Sequence, residues 1–222
     1  MKLLTQTRRS GIFTLALLLT PLLAPVAAMA APAAEVAAVR DQWEQINFVV
    51  AEAEREQHFA QLVDTCDSLL AAQPDDPQAL TWCGIVESSY AGAAGGLGAL
   101  KHAKAARKHF ERAIGIDPVA VNGAALTSLG TLYARVPGWP VGFGNDKKAR
   151  QYLEDGLKAN PDGMDSNFFM AEFLAHRGHD EEAKRYLQQA LKAPPRPGRA
   201  ISDTARREEV EALLAKLGGD ES

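Results

Sequence analysis

The chain lacks the runs of β-branched residues that would build a sheet, and Ala and Leu are abundant instead, so its composition is that of an all-α protein. It lacks a basic excess: the formal net charge is -4, which counts against nucleic acid and against anionic membrane surfaces as partners. Reactive signatures are missing as well. No GxSxG, no HExxH and no phosphate-cradling glycine loop occurs, and Gly95, Gly96 and Gly98 lack the preceding strand that a dinucleotide site needs. An enzyme is therefore not expected, and neither a cofactor nor a metal.

Cysteine occurs twice, at Cys66 and Cys83, placed symmetrically about the Pro74-Asp75 turn. Residues equidistant from the turn of a helical hairpin sit at the same height on facing helices, which makes a disulfide geometrically open to them. Two buried thiols acting as small apolar side chains are the alternative. The spacing leaves both standing. Neither cysteine has a histidine arranged with it as a nucleophile would require.

The first thirty residues carry Lys2, Arg8 and Arg9, then an apolar run from Ile12 to Leu23, then Ala28-Met29-Ala30. That order predicts a secretory signal peptide over 1–30, cleaved on export, with a periplasmic mature protein not inserted in the membrane. Pro21 and Pro25 interrupt the run, and no basic stop-transfer segment follows. Loss of the leader takes the net charge from -4 to -7.

From about Ala37 to Leu217 the apolar residues recur at helical spacing between short turns. Pro74, Pro118, Pro161 and Pro195 each close an apolar stretch, at intervals of 44, 43 and 34 residues. The last unit sets out its parts plainly: Ala171 at a small position of the first helix, Gly178 at the turn, Ala183 and Ala190 at small positions of the second helix, then Pro195. Gly130, Ala149, Gly156 and Pro161 repeat the pattern in the third unit, and Gly84, Ala106, Ala113 and Pro118 in the second. Small residues at these positions let two helix backbones approach closely. Leu62 and Leu69 break the pattern in the first unit, Asp41 to Pro74, which reads as a degenerate repeat or an N-terminal cap.

These residues resemble the tetratricopeptide repeat (TPR), whose period is 34 residues. The resemblance implies a right-handed α-solenoid of helix hairpins over 36–199, about four repeats with the first degenerate, followed by a capping helix and tail over 200–222. That helix is expected from about Ser202 to Leu217, capped by Ser202 or Asp203 and stopped by Gly218-Gly219. Two units exceed the period. The excess lies in AGAAGGLGALKHA after Tyr90 and VPGWPVGFG after Arg135, expected as two loops on one edge of the solenoid. The second loop, with Lys147, Lys148 and Ala149 after it, is similar to the periplasmic T component associated with TRAP solute transporters. A periplasmic solute-binding protein would then be the partner.

The TPR resemblance also implies a ligand groove on the inner face of each first helix. By position this face comprises Thr81, Ile85, Ser88 and Ser89, then Thr127, Thr131 and Arg135, then Phe168, Glu172 and His176. Hydroxyls, one cation, one anion and one aromatic ring suit a protein or peptide segment, with Arg135 available to a carboxylate. Trp139 and Phe143 are either exposed anchors for a partner or rings folded back to plug a gap between helices. A second functional reading is a carrier whose apolar pocket, above Tyr90, Leu97, Tyr133, Trp139 and Phe143, is roofed by the two loops. The histidines make no site: a surface metal site can be drawn from Glu172, His176 and His179, but His176 and His179 read as solvated turn histidines, and His102 and His109 as part of a basic helix stripe.

Overall fold

The computed structural model describes residues 31–219, so the expected signal peptide over 1–30 lies outside the described residues. Within them the chain forms helices and no strand: α1 (Ala31–Phe48), α2 (Glu52–Ala72), α3 (Pro77–Ala94), α4 (Gly96–Ile116), α5 (Ala120–Arg135), α6 (Asp146–Ala159), α7 (Met164–Ala175), α8 (Asp180–Ala190) and α9 (Ala200–Gly219). The helices pair as α1/α2, α3/α4, α5/α6 and α7/α8, and the first helices α1, α3, α5 and α7 also touch in succession. That is the layout of a TPR solenoid.

The small residues sit where the hairpins close. A Cβ on Gly84 would stand 2.5 Å from the ring of Phe110, and one on Gly130 would stand 2.9 Å from the backbone nitrogen of Leu153. Gly156 meets the hydroxyl of Thr127 in the same way, at 2.4 Å. Ala106, Ala113, Ala149, Ala171, Ala183 and Ala190 are wholly buried. Gly178 turns α7 into α8 with φ of 75°, a left-handed conformation that glycine adopts without steric penalty.

Local chemistry fixes several helix starts. Asp76 caps α3 by accepting from the backbone N–H groups of Gln78 (2.8 Å) and Ala79 (2.9 Å), with Pro77 at the first helical position. Asn145 caps α6 through Lys148 N–H at 2.9 Å. The start of α5 is different: Val121, Asn122 and Gly123 take left-handed φ values of 51°, 54° and 71° before the helix proper begins. Gly123 is required there because a Cβ would meet that of Ala159 at 2.5 Å.

Three expectations need correcting. The AGAAGGLGALKHA stretch is not a loop: its alanines continue α3, Gly95 makes the break with φ of 61°, and α4 resumes at Gly96. Alanine is the best helix former, and two successive positive-φ glycines, Gly95 and Gly96, turn the chain. The last helix begins at Ala200 and runs through Gly218 and Gly219, so Ser202 and Asp203 lie inside it rather than capping it. Their side chains are engaged elsewhere, as described below. The first hairpin starts at Ala31, earlier than the apolar periodicity indicates.

Two apolar clusters fill the interior. One, built around Phe59, Leu62, Trp43, Trp82 and Val86, joins α1, α2 and α3. The other runs through Phe110, Leu129, Tyr133, Leu153, Leu174 and Leu187 to Val210 of α9. Leu70 and Ile85 pack against both, which makes the core continuous.

Candidate functional site: a cleft closed by the first and last described helices

The inner wall formed by α1, α3, α5 and α7 bounds a cleft of about 860 Å³. Because successive first helices are tilted by the small residues beneath them, their exposed faces converge on one hollow. Ile85, Ser88, Ser89, Thr127, Thr131, Arg135, Phe168 and Glu172 all line it, as the TPR resemblance implied. Trp43, Phe59 and Trp82 supply an aromatic end, and the indole N–H of Trp43 donates to Ser89 Oγ at 2.8 Å. Thr131 donates its hydroxyl proton to the Thr127 carbonyl at 2.9 Å.

Four expected partner-binding residues lie elsewhere. Thr81 is fully buried, and its hydroxyl donates to the Pro77 carbonyl at 2.7 Å. His176 falls at the end of α7, outside the cleft, with Nδ1 2.8 Å from the Glu172 carbonyl oxygen. Trp139 and Phe143 divide the two roles open to them. Phe143 packs edge-on against Tyr133, ring centroids 5.5 Å apart, beneath the guanidinium of Arg107 at 5.0 Å. Trp139 stands 91% exposed.

Arg135 is also not free to greet a carboxylate from outside. Its Nη2 donates to both oxygens of Glu172, at 2.7 and 2.6 Å, so the cleft supplies its own counter-ion. The roofed apolar pocket of the carrier reading does not form at its expected place. Trp139 points to solvent, Tyr133 is buried, and what lies between the loop and α4 is a notch of about 460 Å³ bordered by Lys104, Arg107, Lys108 and Glu111. The Leu97 side chain lies outside the described residues.

What closes the cleft is the return of the C-terminal helix to the first. Arg199 pairs with Glu44 of α1, and Ser202 donates to Glu44 Oε1 at 2.7 Å. Arg199 also covers the ring of Trp82 at 5.0 Å. On the same side Arg206 stacks on Phe168 (4.5 Å) and Phe169 (4.6 Å) while its Nε donates to Asp165 at 2.9 Å. Arg196 donates to Asp165 at 2.5 Å, and its Nε and backbone N–H each donate to Asp203 at 2.7 Å. Burial alone would push the Asp165 carboxyl up, but Arg206, Arg196 and Arg199 hold it down at about 2. Charges of both signs therefore face the cleft, most of them paired within it.

Two buried polar pairs bear on other expectations. His102 does not serve as one more member of a basic stripe: Nδ1 meets Glu87 Oε2 at 2.6 Å between α3 and α4, with Tyr90 against the imidazole at 4.1 Å. Burial pushes the Glu87 carboxyl up, opposed by His102. Cys66 and Cys83 are buried free thiols on facing helices, the Cys83 thiol directed at the Cys66 carbonyl at 3.9 Å. The neighbouring Cys66 thiol and burial raise the Cys83 pKa. Among the described residues no cluster of His, Cys, Asp and Glu could hold a metal ion, and no helix is long and apolar enough to cross a membrane.

The fold and its lined hollow define an α-solenoid of the TPR type. A solved structure agrees on the fold: the thermophilic TPR protein TTC0263 of Thermus thermophilus is similar with a TM-score of 0.54 and 19% identity, over 72% of this chain and 73% of its own. MamA gives a TM-score of 0.34 at 18% identity over 63% and 91% of the two chains. The protein PilF of Pseudomonas aeruginosa gives 0.39 at 14% over 86% and 90%. No family model and no curated protein sequence matches the chain.

The residues that sequence reasoning missed are Trp43, Trp82, Asp165, Arg196, Arg199 and Arg206. A signal was present in the arginine spacing of PPRPGR and the helix after it, but their acid partners lie up to 155 residues away.

Proposed function

We propose that this chain is an exported, periplasmic binding scaffold that holds a protein or peptide segment in the cleft. The observation that carries this is the lining itself. Half-buried Ile85, Ser88, Ser89, Ser128 and Thr131 present hydrogen-bonding groups beside aromatic rings. An extended backbone needs that mixture of donors, acceptors and apolar contact. Charged groups in the cleft are largely compensated from within, so recognition rests on shape and on the polypeptide backbone more than on net charge. Export and periplasmic location rest on the leader sequence, and a role beside a solute transporter, with a solute-binding protein as partner, rests on the 136–149 segment. No residue in the cleft is assigned a catalytic step.

The test is recovery of a partner from periplasmic extract by the wild-type protein and by Ser88→Arg combined with Thr131→Arg. Both side chains are half-buried at the wall, so the longer cations fill the hollow without entering the core. Loss of the partner is the expected result; equal recovery by both forms would reject the cleft.

A further inference from the structure

The acidic balance of the chain is not evenly spread, and one convex face reverses it. Loop residues Trp139, Pro140 and Val141 are all exposed, Trp139 at 91% and Val141 at 67%. Such a tip is held out rather than loose. Gly144 N–H donates to the Pro137 carbonyl at 2.9 Å, Gly142 N–H donates to the Gly138 carbonyl at 3.0 Å, and Phe143 anchors the base on Tyr133. Gly144 has no alternative there, since a Cβ would fall 1.8 Å from the Val136 carbonyl oxygen.

Lys104 and Lys108 on α4 border the notch beside Pro140 and Val141, and Lys147 and Lys148 follow the loop, exposed, at the start of α6. None of the four forms an ion pair among the described residues. Lys148 and Arg107 both lie over the Tyr133 ring, at 5.2 and 5.9 Å, so the α6 lysine belongs to the same surface as α4. The nearby acids are occupied: Glu111 by Arg107, and Asp146 by Arg177. Between tip and helix lies the 460 Å³ notch bordered by Lys104, Arg107 and Lys108.

We infer that this face docks the protein on an anionic lipid surface, Trp139 and Val141 entering the interface while the lysines meet headgroup phosphates. Tryptophan favours the headgroup level because its ring is apolar and its N–H is polar. Unpaired lysines beside it add attraction that acts within a Debye length, so the acidic remainder of the chain, farther off, is screened. A protruding apolar tip flanked by unpaired lysines fits a deformable anionic interface better than a rigid protein pocket. The inference is independent of what the cleft binds.

The chain beginning at Ala31, which contains every contact of the described fold, is mixed with vesicles of phosphatidylcholine alone and of an equimolar mixture with phosphatidylglycerol. Trp43 and Trp82 are buried, so a change in tryptophan emission on binding reports Trp139. Anionic vesicles should sediment the protein and shift its emission to the blue. Neutral vesicles should bind about tenfold or more weakly, and Lys104→Glu with Lys108→Glu should lose a similar factor. Trp139→Ser should abolish the shift with unchanged circular dichroism. Equal binding to neutral vesicles, binding unaffected by these variants, or capture by polyglutamate without vesicle binding would each overturn the assignment.

Discussion

Glu44 of the first described helix and Arg199, at the entry to the last, form an ion pair across 155 residues in which the carboxylate is buried and the guanidinium largely covered, with Ser202 donating to the same carboxylate. Stacked hairpins need contact only their neighbours. Here the first and last described helices meet across the hollow. Arg199→Ala leaves the Glu44 charge buried with only Ser202 as donor, and should cost about 3 kcal/mol. For a chain of this size that is a fall in Tm of roughly 6–12 °C. Replacing both partners by methionine should recover much of the loss. Thermal unfolding of the single and double variants measures it.

The close approach at Gly130 yields a second expectation. A Cβ there meets the backbone of α6, which a rotamer change cannot relieve, whereas at Gly84 it meets the fully buried ring of Phe110. Gly130→Val should destabilise by about 3 kcal/mol and Gly84→Val by a comparable amount. At Gly92, which has open space around it, Gly92→Ala should stabilise by about 0.5–1 kcal/mol. Urea denaturation of the three variants gives the comparison.

Asp165 makes stability depend on acid. Its folded pKa of about 2 lies below the ordinary value of 3.8, so the folded state binds protons less readily than the unfolded chain. The contribution is present above pH 3.8 and is lost as pH falls through about 2. Allowing for the partial exposure of the side chain, it amounts to about 1–2 kcal/mol. Asp165→Asn should be less stable at neutral pH and show a flatter loss over that acid range.

The two cysteines allow a direct chemical check. With both thiols buried and unbridged, alkylation should fail on the native protein and add two labels per chain once it is unfolded without reductant. Mass spectrometry reads the count. Absence of label until reductant is added would show a Cys66–Cys83 disulfide.

The hairpins could be read from sequence because their determinants are local: Gly130, Ala149 and Gly156 announce close packing, and Gly178 a left-handed turn. Eight cleft residues could be placed because the TPR resemblance points to the inner face of each first helix, and helical spacing then tells which residues share that face. Thr81 was misplaced because helical spacing does not show that an adjacent helix covers it. Arg135 was legible as a groove residue but not as a partner of Glu172, which lies in the next hairpin. The Gly/Ala stretch after Tyr90 was ambiguous because alanine favours helix while glycine permits a turn, and tertiary packing decided for helix with one break at Gly95. The closure through Glu44, Arg199 and Ser202 joins residues whose separation no periodicity records.

The cleft is tested most directly by a photo-crosslinking residue placed at Thr131 on its wall, with the same residue at exposed Arg150 on α6 as control. Irradiation in periplasmic extract should join position 131, and not position 150, to one discrete polypeptide, and Ser88→Arg should suppress the adduct. No adduct at 131, or the same products from both positions, would contradict a cleft that binds polypeptide.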